Sequence, residues 1–384
     1  MKRKFVKLFF ITLFLLLISA CSKKKENPKF ENLDIIHELE FGGVYITVTI
    51  DNFNDAGFEY GDSVDVEFSN DYKVCDIPYY NGYYVDAGET LLVGYPGYEY
   101  IKLTLNYGDD YWNIANLSEG DKGSIYLNKK GKYKDIQNTM NIQYEDDRTK
   151  YETDEEFANY RMVNIGNIKN SILYRGASPC DNKHKRASYV DNLIQSDGIN
   201  FIVDLADTPE KIEGYMAQPD FASPYFKSLY ERNVVMFVAS PHEKVMPLAM
   251  NMNYKSDEFR EKVADGFKQM LNFPGPYYIH CQEGKDRTGF VLIVIEALLG
   301  GTYQEIVDDY MVTYDNYYKI TEQKDPLRYK IIKERNVDAM LKFLCNYDEE
   351  VYESGNYSAS IKTYLMNGGM TEQQVNQFIT LLSQ

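Results

Sequence analysis

Residues 280–289 join a short run of β-favouring residues to a long apolar helical pattern, and this junction constrains the fold more than any other part of the chain. Residues 277–280 are typical of a buried strand, and residues 290–299 have the composition of a buried helix. Where a loop turns from a strand into a helix, backbone N–H groups converge and form an anion site. Gly284 and Gly289 lack a Cβ, which allows the backbone to wrap tightly. The sequence therefore predicts an anion-binding loop at this junction.

The junction reads HCQEGKDRTG and contains the pattern H-C-x-x-G-x-x-R-T-G. The positive environment of an anion site stabilises Cys281 as the thiolate, which is the nucleophilic form of a cysteine. The segment resembles the phosphate-binding loop of the cysteine-dependent protein tyrosine phosphatase superfamily. Its second half, GKDRTG, resembles the loop of bacterial tyrosine/serine phosphatases that are related to lipid phosphatases. The resemblance implies an enzyme that hydrolyses phosphate monoesters through a cysteinyl-phosphate, without metal or cofactor.

The same resemblance implies a role for each residue of the loop. Cys281 is the nucleophile, and the planar guanidinium of Arg287 binds two phosphoryl oxygens and favours the charge of the transition state. Thr288 is expected to donate a hydrogen bond to the sulfur when it departs, and His280 is expected to brace the loop rather than transfer protons. The residues expected to surround the bound phosphate, together with His280, are Gln282, Glu283, Gly284, Lys285 and Gly289.

Protonation of the leaving oxygen requires a carboxylic acid or a similar group within hydrogen-bond reach. Many relatives place an aspartate on the loop after the strand that here spans residues 234–238, but this chain reads ASPHEK at 239–244, without aspartate. Asp286 is therefore the leading candidate, as the resemblance to the myotubularin-like C-x-x-G-x-D-R-T loop implies. The alternatives are Glu243, His242, Asp204 and Asp207.

Short segments on both sides of the loop resemble further motifs of the bacterial family, between residues 157 and 320. These segments are NYR at 159–161, LYRGA at 173–177, VDL at 203–205 and IVDDY at 306–310. Two residues depart from the family pattern, because Met162 stands where an Asp is usual and Ala206 stands where an Arg is usual. The functions of those two positions in relatives are therefore not carried over to this chain.

The elements around the loop are typical of an α/β domain, assigned to residues 141–384, with a central, mainly parallel sheet flanked by helices. Residues 201–205 and 234–238 are short β-branched or aromatic runs, which suit buried parallel strands. Helical spacing is present at 186–196, 256–272, 303–318, 328–345 and 371–383.

Residues 31–140 form a separate, small all-β domain in this interpretation. Apolar and polar residues alternate at 44–50, 64–68, 101–105 and 124–127, and turn sequences that contain glycine lie between them. This pattern predicts an antiparallel sandwich or barrel and no helix. The domain is rich in tyrosine, which fits half-buried strands and also fits a binding surface for a glycan or a partner protein.

The first thirty residues lie outside both domains. Residues 1–20 combine a basic start with an apolar run that is too short for a membrane span and typical of a signal peptide. The run ends in ISAC, which resembles a bacterial lipobox and predicts lipidation of Cys21; the alternative is an ordinary secretory signal. Residues 21–30 are a polar tether. The expected location is the cell membrane, where the lipid-anchored protein faces the outside of the cytoplasm.

Composition limits the partners of the chain. With 41 basic and 58 acidic residues the net charge is −17, which argues against broad electrostatic binding to nucleic acid. The five cysteines show neither the density of a disulfide scaffold nor a CxxC metal spacing.

The expected substrates are phosphotyrosine or phosphoserine proteins, or phosphoinositides. The alternatives are an inositol-polyphosphate (phytate-type) phosphatase and a catalytically weak phosphate-binding module on the cell surface. Inositol phosphates require extra positive charge around the site, for which Lys285 and the basic residues 183–186 are candidates. A solvated loop is the other interpretation of that basic cluster.

Overall fold

The computed structural model describes residues 30–231 and 245–384. These residues form two compact units, of which the first ends at Asn141 and the second begins at Ile142. Within the described ranges, no helix combines the length and the apolar character that crossing a bilayer requires.

Some of the sequence-based predictions lie outside the described residues. These are the signal peptide with Cys21, the tether that follows it, the strand at 234–238, and the alternative acids His242 and Glu243. They stay predictions.

The first unit is a closed barrel of seven strands, which confirms the predicted β domain. The strands are β1 (Phe30–Glu38), β2 (Gly43–Thr49), β3 (Ser63–Phe68), β4 (Lys73–Tyr80), β5 (Thr90–Val93), β6 (Tyr100–Leu105) and β7 (Lys122–Lys129). Their order around the barrel is β1-β2-β6-β5-β4-β3-β7. Neighbours are antiparallel except β4 and β5, which run parallel. Alternate residues fill the interior, such as Val44 and Ile46 on β2 and Ile101 and Leu103 on β6.

Two short helices lie between barrel strands and a third follows β7, so the prediction of no helix in this unit is wrong. They are α1 (Ile50–Asp55), α2 (Tyr111–Ile114) and α3 (Lys134–Met140). The side chain of Thr49 caps α1 by accepting from the N–H of Asn52. Helices this short span two turns at most, so their 3.6-residue period is not visible in the sequence.

The second unit contains a five-stranded sheet in the order β11-β10-β12-β9-β8. The strands are β8 (Arg161–Met162), β9 (Leu173–Gly176), β10 (Phe201–Asp204), β11 (Val245–Pro247) and β12 (Tyr277–His280). Three neighbouring pairs run parallel, and β8 is an antiparallel edge strand. The register places Gly176, Asp204 and His280 side by side at the carboxyl ends of their strands. At this edge of a parallel sheet the loops that carry binding sites emerge.

Helices surround this sheet, and the helix that follows β12 is buried on all sides over residues 290–298. In chain order they are α4 (Asp154–Phe157), α5 (Ala187–Ser196), α6 (Pro209–Met216), α7 (Pro224–Tyr230), α8 (Asp257–Met270), α9 (Asp286–Leu298), α10 (Tyr303–Tyr318), α11 (Pro326–Ile332), α12 (Ala339–Leu344), α13 (Glu349–Ser354), α14 (Ser358–Asn367) and α15 (Glu372–Ser383). The structure confirms the predicted helices at 186–196, 256–272, 303–318 and 371–383. The helix predicted at 328–345 is instead two α-helices joined by a π-helical segment, Lys333–Asp338.

Candidate active site

The loop between β12 and α9 places Cys281 directly after the strand and Arg287 in the first turn of the helix. Cys281 is 3% exposed. Gly284 adopts a φ of +65°, and a Cβ at this position would lie 2.1 Å from the carbonyl oxygen of Gly176. Only glycine fits there, because its neighbour is backbone that has no room to move. The Nη1 of Arg287 donates to the carbonyl oxygen of Met250 at 2.9 Å, which orients the guanidinium.

Three consecutive carbonyl groups of the loop are held by hydrogen bonds from outside it. The carbonyl of Gln282 accepts from the N–H of Ser178 at 3.1 Å, that of Glu283 from the hydroxyl of Tyr317 at 2.8 Å, and that of Gly284 from Nη2 of Arg175 at 2.9 Å. Because a peptide group is planar and trans, its N–H points opposite to its carbonyl. The N–H groups of residues 283–285 therefore point away from these three supports, an arrangement suited to an anion.

A buried ion-pair network supports Arg175 behind the loop. Asp309 pairs with Arg175 and also accepts from Nε of Arg161 at 2.8 Å. Arg161 in turn donates to the side chain of Asn159 at 2.9 Å, and Asn159 donates to the carbonyl of Gly284 at 3.2 Å. Burial opposes ionisation of Asp309, but the two guanidinium groups outweigh it and lower the pKa of Asp309. The segments at 159–161, 173–177 and 306–310 thus meet at the loop, a role that the sequence did not assign to them.

His280 and Thr288 are both fully buried next to the loop. The Nδ1 of His280 donates to the carbonyl of Cys281 at 3.1 Å, and burial lowers the pKa of His280 to about 4. A neutral His280 fits the predicted bracing role. The hydroxyl of Thr288 has no hydrogen-bond partner within the described residues, so the predicted bond to the sulfur of Cys281 is not formed.

The side chains of Gln282 and Glu283 bind other parts of the protein. The Nε2 of Gln282 donates to Asp181 at 2.7 Å. Glu283 accepts from the hydroxyl of Tyr144 and lies 3.5 Å from Nε2 of His184. Burial opposes ionisation of Glu283, but the neighbouring His184 and Lys285 lower its pKa to about 2. Gln282 and Glu283 can therefore contact a phosphate only through their backbone.

Gly289 does not have the predicted phosphate-binding role. Its N–H donates to the carbonyl of Lys285 inside the turn that begins α9. A Cβ on Gly289 would lie 2.4 Å from the ring of Tyr310 on α10. The glycine therefore allows close packing of the two helices, which the sequence pattern alone could not distinguish from a loop function.

The basic residues expected to add charge around the site are partly engaged by carboxylates. In the cluster 183–186, Nδ1 of His184 lies 3.0 Å from Asp146, and Nη1 of Arg186 donates to Asp146 at 2.8 Å. Lys285 is 14% exposed and donates to the hydroxyl of Tyr144 at 2.8 Å. Asp146 therefore offsets the charge of Arg186, and Glu283, 3.6 Å from Nζ, offsets that of Lys285.

Three of the candidate acids lie in the described residues. Asp286 is 43% exposed, and desolvation raises its pKa although Lys285, 3.7 Å away, opposes the rise. Asp207 is 4% exposed, and burial together with the charge of Asp204 raises its pKa to about 7. Burial also raises the pKa of Asp204 to about 6, against the bonds that it accepts from the N–H groups of Ala206 and Asp207. The pKa values of all three carboxyls are thus raised, which is the direction that a general acid acting near neutral pH requires.

Cys180, Asp204 and Asp207 form the one cluster of metal-ligand side chains found in residues 30–231 and 245–384. Their donor atoms all lie within 4.8 Å of one another. Burial raises the pKa of each of the three groups.

Comparison with known proteins identifies a family for the second unit. Residues 156–384 match the family described as "Tyrosine phosphatase family". No curated protein matches the chain significantly. A solved structure of an uncharacterized conserved protein from Thermotoga maritima is 22% identical over 27% of this chain and 39% of its own chain, with a TM-score of 0.23. The core catalytic domain of the PP-IP phosphatase SIW14 from S. cerevisiae is 16% identical over 49% of this chain and 96% of its own, with a TM-score of 0.25.

Proposed function

Because the chain belongs to the tyrosine phosphatase family, we propose that its second unit hydrolyses phosphate monoesters of proteins or lipids through a phosphocysteine at Cys281. The observation that carries this proposal is the loop itself. Three carbonyls are turned away by bonds from Ser178, Tyr317 and Arg175, so that three N–H groups face the space next to a buried cysteine. This arrangement suits a phosphoryl group and the thiolate that attacks it.

The proposed reaction has two displacements at phosphorus. The thiolate of Cys281 attacks, an S–P bond forms, and the ester P–O bond breaks while an acid protonates the leaving oxygen. Water then attacks the phosphocysteine and gives a proton to the carboxylate that the acid has become; an O–P bond forms, the S–P bond breaks, and inorganic phosphate leaves with Cys281 restored as the thiolate. The guanidinium of Arg287 binds the equatorial oxygens in both steps, and the unpartnered hydroxyl of Thr288 is available to bond the departing sulfur.

Asp286 is our first assignment for the general acid, because it is the half-exposed carboxyl in the loop itself and its pKa is raised. Asp207 is the second candidate, since a pKa of about 7 suits an acid that acts at neutral pH. The acid matters most for poor leaving groups. Asp286→Asn should therefore slow the hydrolysis of alkyl phosphates strongly and that of p-nitrophenyl phosphate much less. If Asp207→Asn gives this leaving-group-dependent loss instead, our first assignment is wrong.

Substitution of the nucleophile tests the proposed function. Wild-type protein should release p-nitrophenolate in a burst that is stoichiometric with enzyme, and Cys281→Ser should abolish both the burst and the turnover. The matched control is Cys345→Ser, since Cys345 is likewise free and buried but lies at the end of α12. Turnover that survives in Cys281→Ser would exclude the cysteine mechanism. Phosphopeptides and phosphoinositides, assayed side by side, then define the preferred ester.

We further propose that the protein is attached to the outer side of the cell membrane by a lipid on Cys21. The ISAC sequence that precedes and includes this residue supports the proposal. Cys21→Ser should abolish incorporation of labelled palmitate and release the protein from the membrane fraction. Retention in that fraction without label would mean that another part of the chain binds the membrane.

A further inference from the structure

A segment that precedes the family-matched region lies against the candidate phosphate loop. Residues 144–146 belong to the second unit and are fixed there by Arg186, which donates to the carbonyl of Glu145 at 2.9 Å and to the side chain of Asp146 at 2.8 Å. The hydroxyl of Tyr151 donates to the same Glu145 carbonyl at 2.6 Å. These bonds hold Tyr144 in a defined place, although the match to the family begins only at residue 156.

The hydroxyl of Tyr144 connects two side chains of the loop. It accepts from Nζ of Lys285 at 2.8 Å and donates to the carboxylate of Glu283. The ammonium of Lys285 also lies 5.2 Å from the centre of the Tyr144 ring and 5.7 Å from that of Tyr318. Tyr144 therefore contacts Lys285 with both its hydroxyl and its ring.

These contacts surround the ammonium of Lys285. Besides Tyr144, its Nζ donates to the hydroxyl of Tyr318 at 3.4 Å and lies 3.6 Å from Glu283 and 3.7 Å from Asp286. Two of its three donors are therefore engaged by tyrosine hydroxyls, and two carboxylates lie within 4 Å of its charge. The adjacent Glu283 is ionised, because its pKa is about 2, and it offsets the charge of Lys285.

We propose that Tyr144 is a specificity-determining residue of the site, which acts by holding Lys285 against Glu283. In this arrangement two donors of Lys285 are engaged and its charge is offset by Glu283, so it binds a second phosphate only weakly next to the one that enters the loop. The site then favours esters that carry a single phosphate and disfavours polyphosphates such as inositol hexakisphosphate. Tyr144 itself contacts no reacting atom, so it is a positioning residue. The inference rests on the proposed phosphatase function and adds a substrate preference to it.

Tyr144→Phe tests the inference, because it keeps the ring and removes only the hydroxyl. Inositol hexakisphosphate serves as a competitive inhibitor of p-nitrophenyl phosphate hydrolysis, so its inhibition constant is measurable whether or not it is cleaved. A released Lys285 gains a charge-assisted contact with a second phosphate, and the inhibition constant should fall about tenfold. The KM for p-nitrophenyl phosphate, which has one phosphate, should change far less. A structural loss would instead move both constants together.

A second substitution decides whether Lys285 is the cause. In Tyr144→Phe combined with Lys285→Met, the gain in inhibition should disappear, since no ammonium is left to be released. Glu283→Gln should also lower the inhibition constant, because it removes the carboxylate that offsets the charge of Lys285. This variant replaces Tyr144→Phe as the test if Tyr144→Phe does not fold. Tyr160→Phe is the matched control, as its hydroxyl donates to Asp197 and contacts neither loop side chain.

Three outcomes separate the claims. If wild-type protein does not hydrolyse p-nitrophenyl phosphate, the proposed function fails. If it does, but Tyr144→Phe and Glu283→Gln both leave the inhibition constant unchanged, the function stands and the inference about Tyr144 is overturned. A gain that persists in the double variant with Lys285→Met also overturns it.

Discussion

The buried polar side-chain atoms described in the barrel all have hydrogen-bond partners, whereas several of those described in the α/β unit have none. In the barrel, the ammonium of Lys102 is fully buried and lies 3.3 Å from Glu38, with four aromatic rings within 6 Å. Asp62 accepts from Lys130 at 3.0 Å and from the N–H of Gly131 at 2.8 Å. Among the described residues, every buried side-chain atom without a hydrogen-bond partner lies in the α/β unit.

Many of these unpartnered atoms lie close to the candidate loop. They include one oxygen each of Asp204 and Asp207, Nε2 of His280 and the hydroxyl of Thr288. A buried polar group without a partner costs about 1–3 kcal/mol, so a chain keeps it where binding or chemistry uses it. In the barrel, buried polar groups are bonded to one another and stabilise the fold. In the α/β unit, some buried polar groups next to the candidate site have no hydrogen-bond partner.

Removal of Asp309 should produce the largest effect on the α/β unit. Asp309→Ala leaves Arg161 and Arg175 buried without their shared carboxylate, which should lower the free energy of unfolding of this unit by about 3–5 kcal/mol. Hydrogen–deuterium exchange, followed separately for peptides of the loop and of the barrel, measures the loss and localises it.

Asp315→Ala is the control for this substitution, since Asp315 lies on the same helix but is half exposed. Its ion pair with Lys324 should be worth less than about 1 kcal/mol. Equal losses of unfolding free energy in the two variants would mean that the ion-pair network behind the loop stabilises the unit no more than an exposed ion pair does.

Asp207→Asn should produce a pH-dependent gain in stability. The pKa of Asp207 is raised from 3.8 to about 7 on folding, so wild-type protein loses stability as the pH rises from about 4 to 7, and the loss is constant above that. Asn does not titrate, and the variant should therefore be more stable by a margin that reaches about 4 kcal/mol at pH 8. Denaturant unfolding at pH 4 and pH 8 measures it. A margin that is independent of pH would contradict the raised pKa of Asp207.

Lys102→Met should produce the smallest effect of the three, and only in the barrel. The side chain of Met fills the space between the rings, but Glu38 loses its partner, at a cost of about 1–3 kcal/mol. Exchange should rise in the barrel strands, while turnover of p-nitrophenyl phosphate should equal that of wild type. A matching loss of turnover would show that the buried charges of the barrel also serve the site.

The sequence made the loop predictable because its signals are contiguous. A strand, a glycine-containing turn and an apolar helix follow one another over residues 277–299, and Gly284 is the one residue whose backbone conformation demands its identity. The helix Tyr303–Tyr318 was equally visible, since Thr302 and Glu305 form a capping box at its start.

The supports of the loop were not predictable, because they depend on which strands become neighbours. Arg175 reaches Gly284 only because β9 pairs with β12, and Asp309 reaches Arg175 from a helix more than 130 residues away in the chain. Tyr144 carried no signal at all, since a tyrosine in a charged stretch has no distinctive pattern. Strand β4 was missed for a local reason: Asp76 has a φ of +59° and the register shifts beside it, which breaks the two-residue alternation.

The central claim is that Cys281 carries the phosphoryl group during turnover. Wild-type protein mixed with p-nitrophenyl phosphate and quenched in acid within the burst should yield a phosphorylated peptide, and fragmentation by mass spectrometry should place the phosphate on Cys281. The account predicts this adduct in wild type and in Cys345→Ser, and its absence in Cys281→Ser. A protein that turns over while the phosphate is found on another residue, or on none at any quench time, would contradict the account.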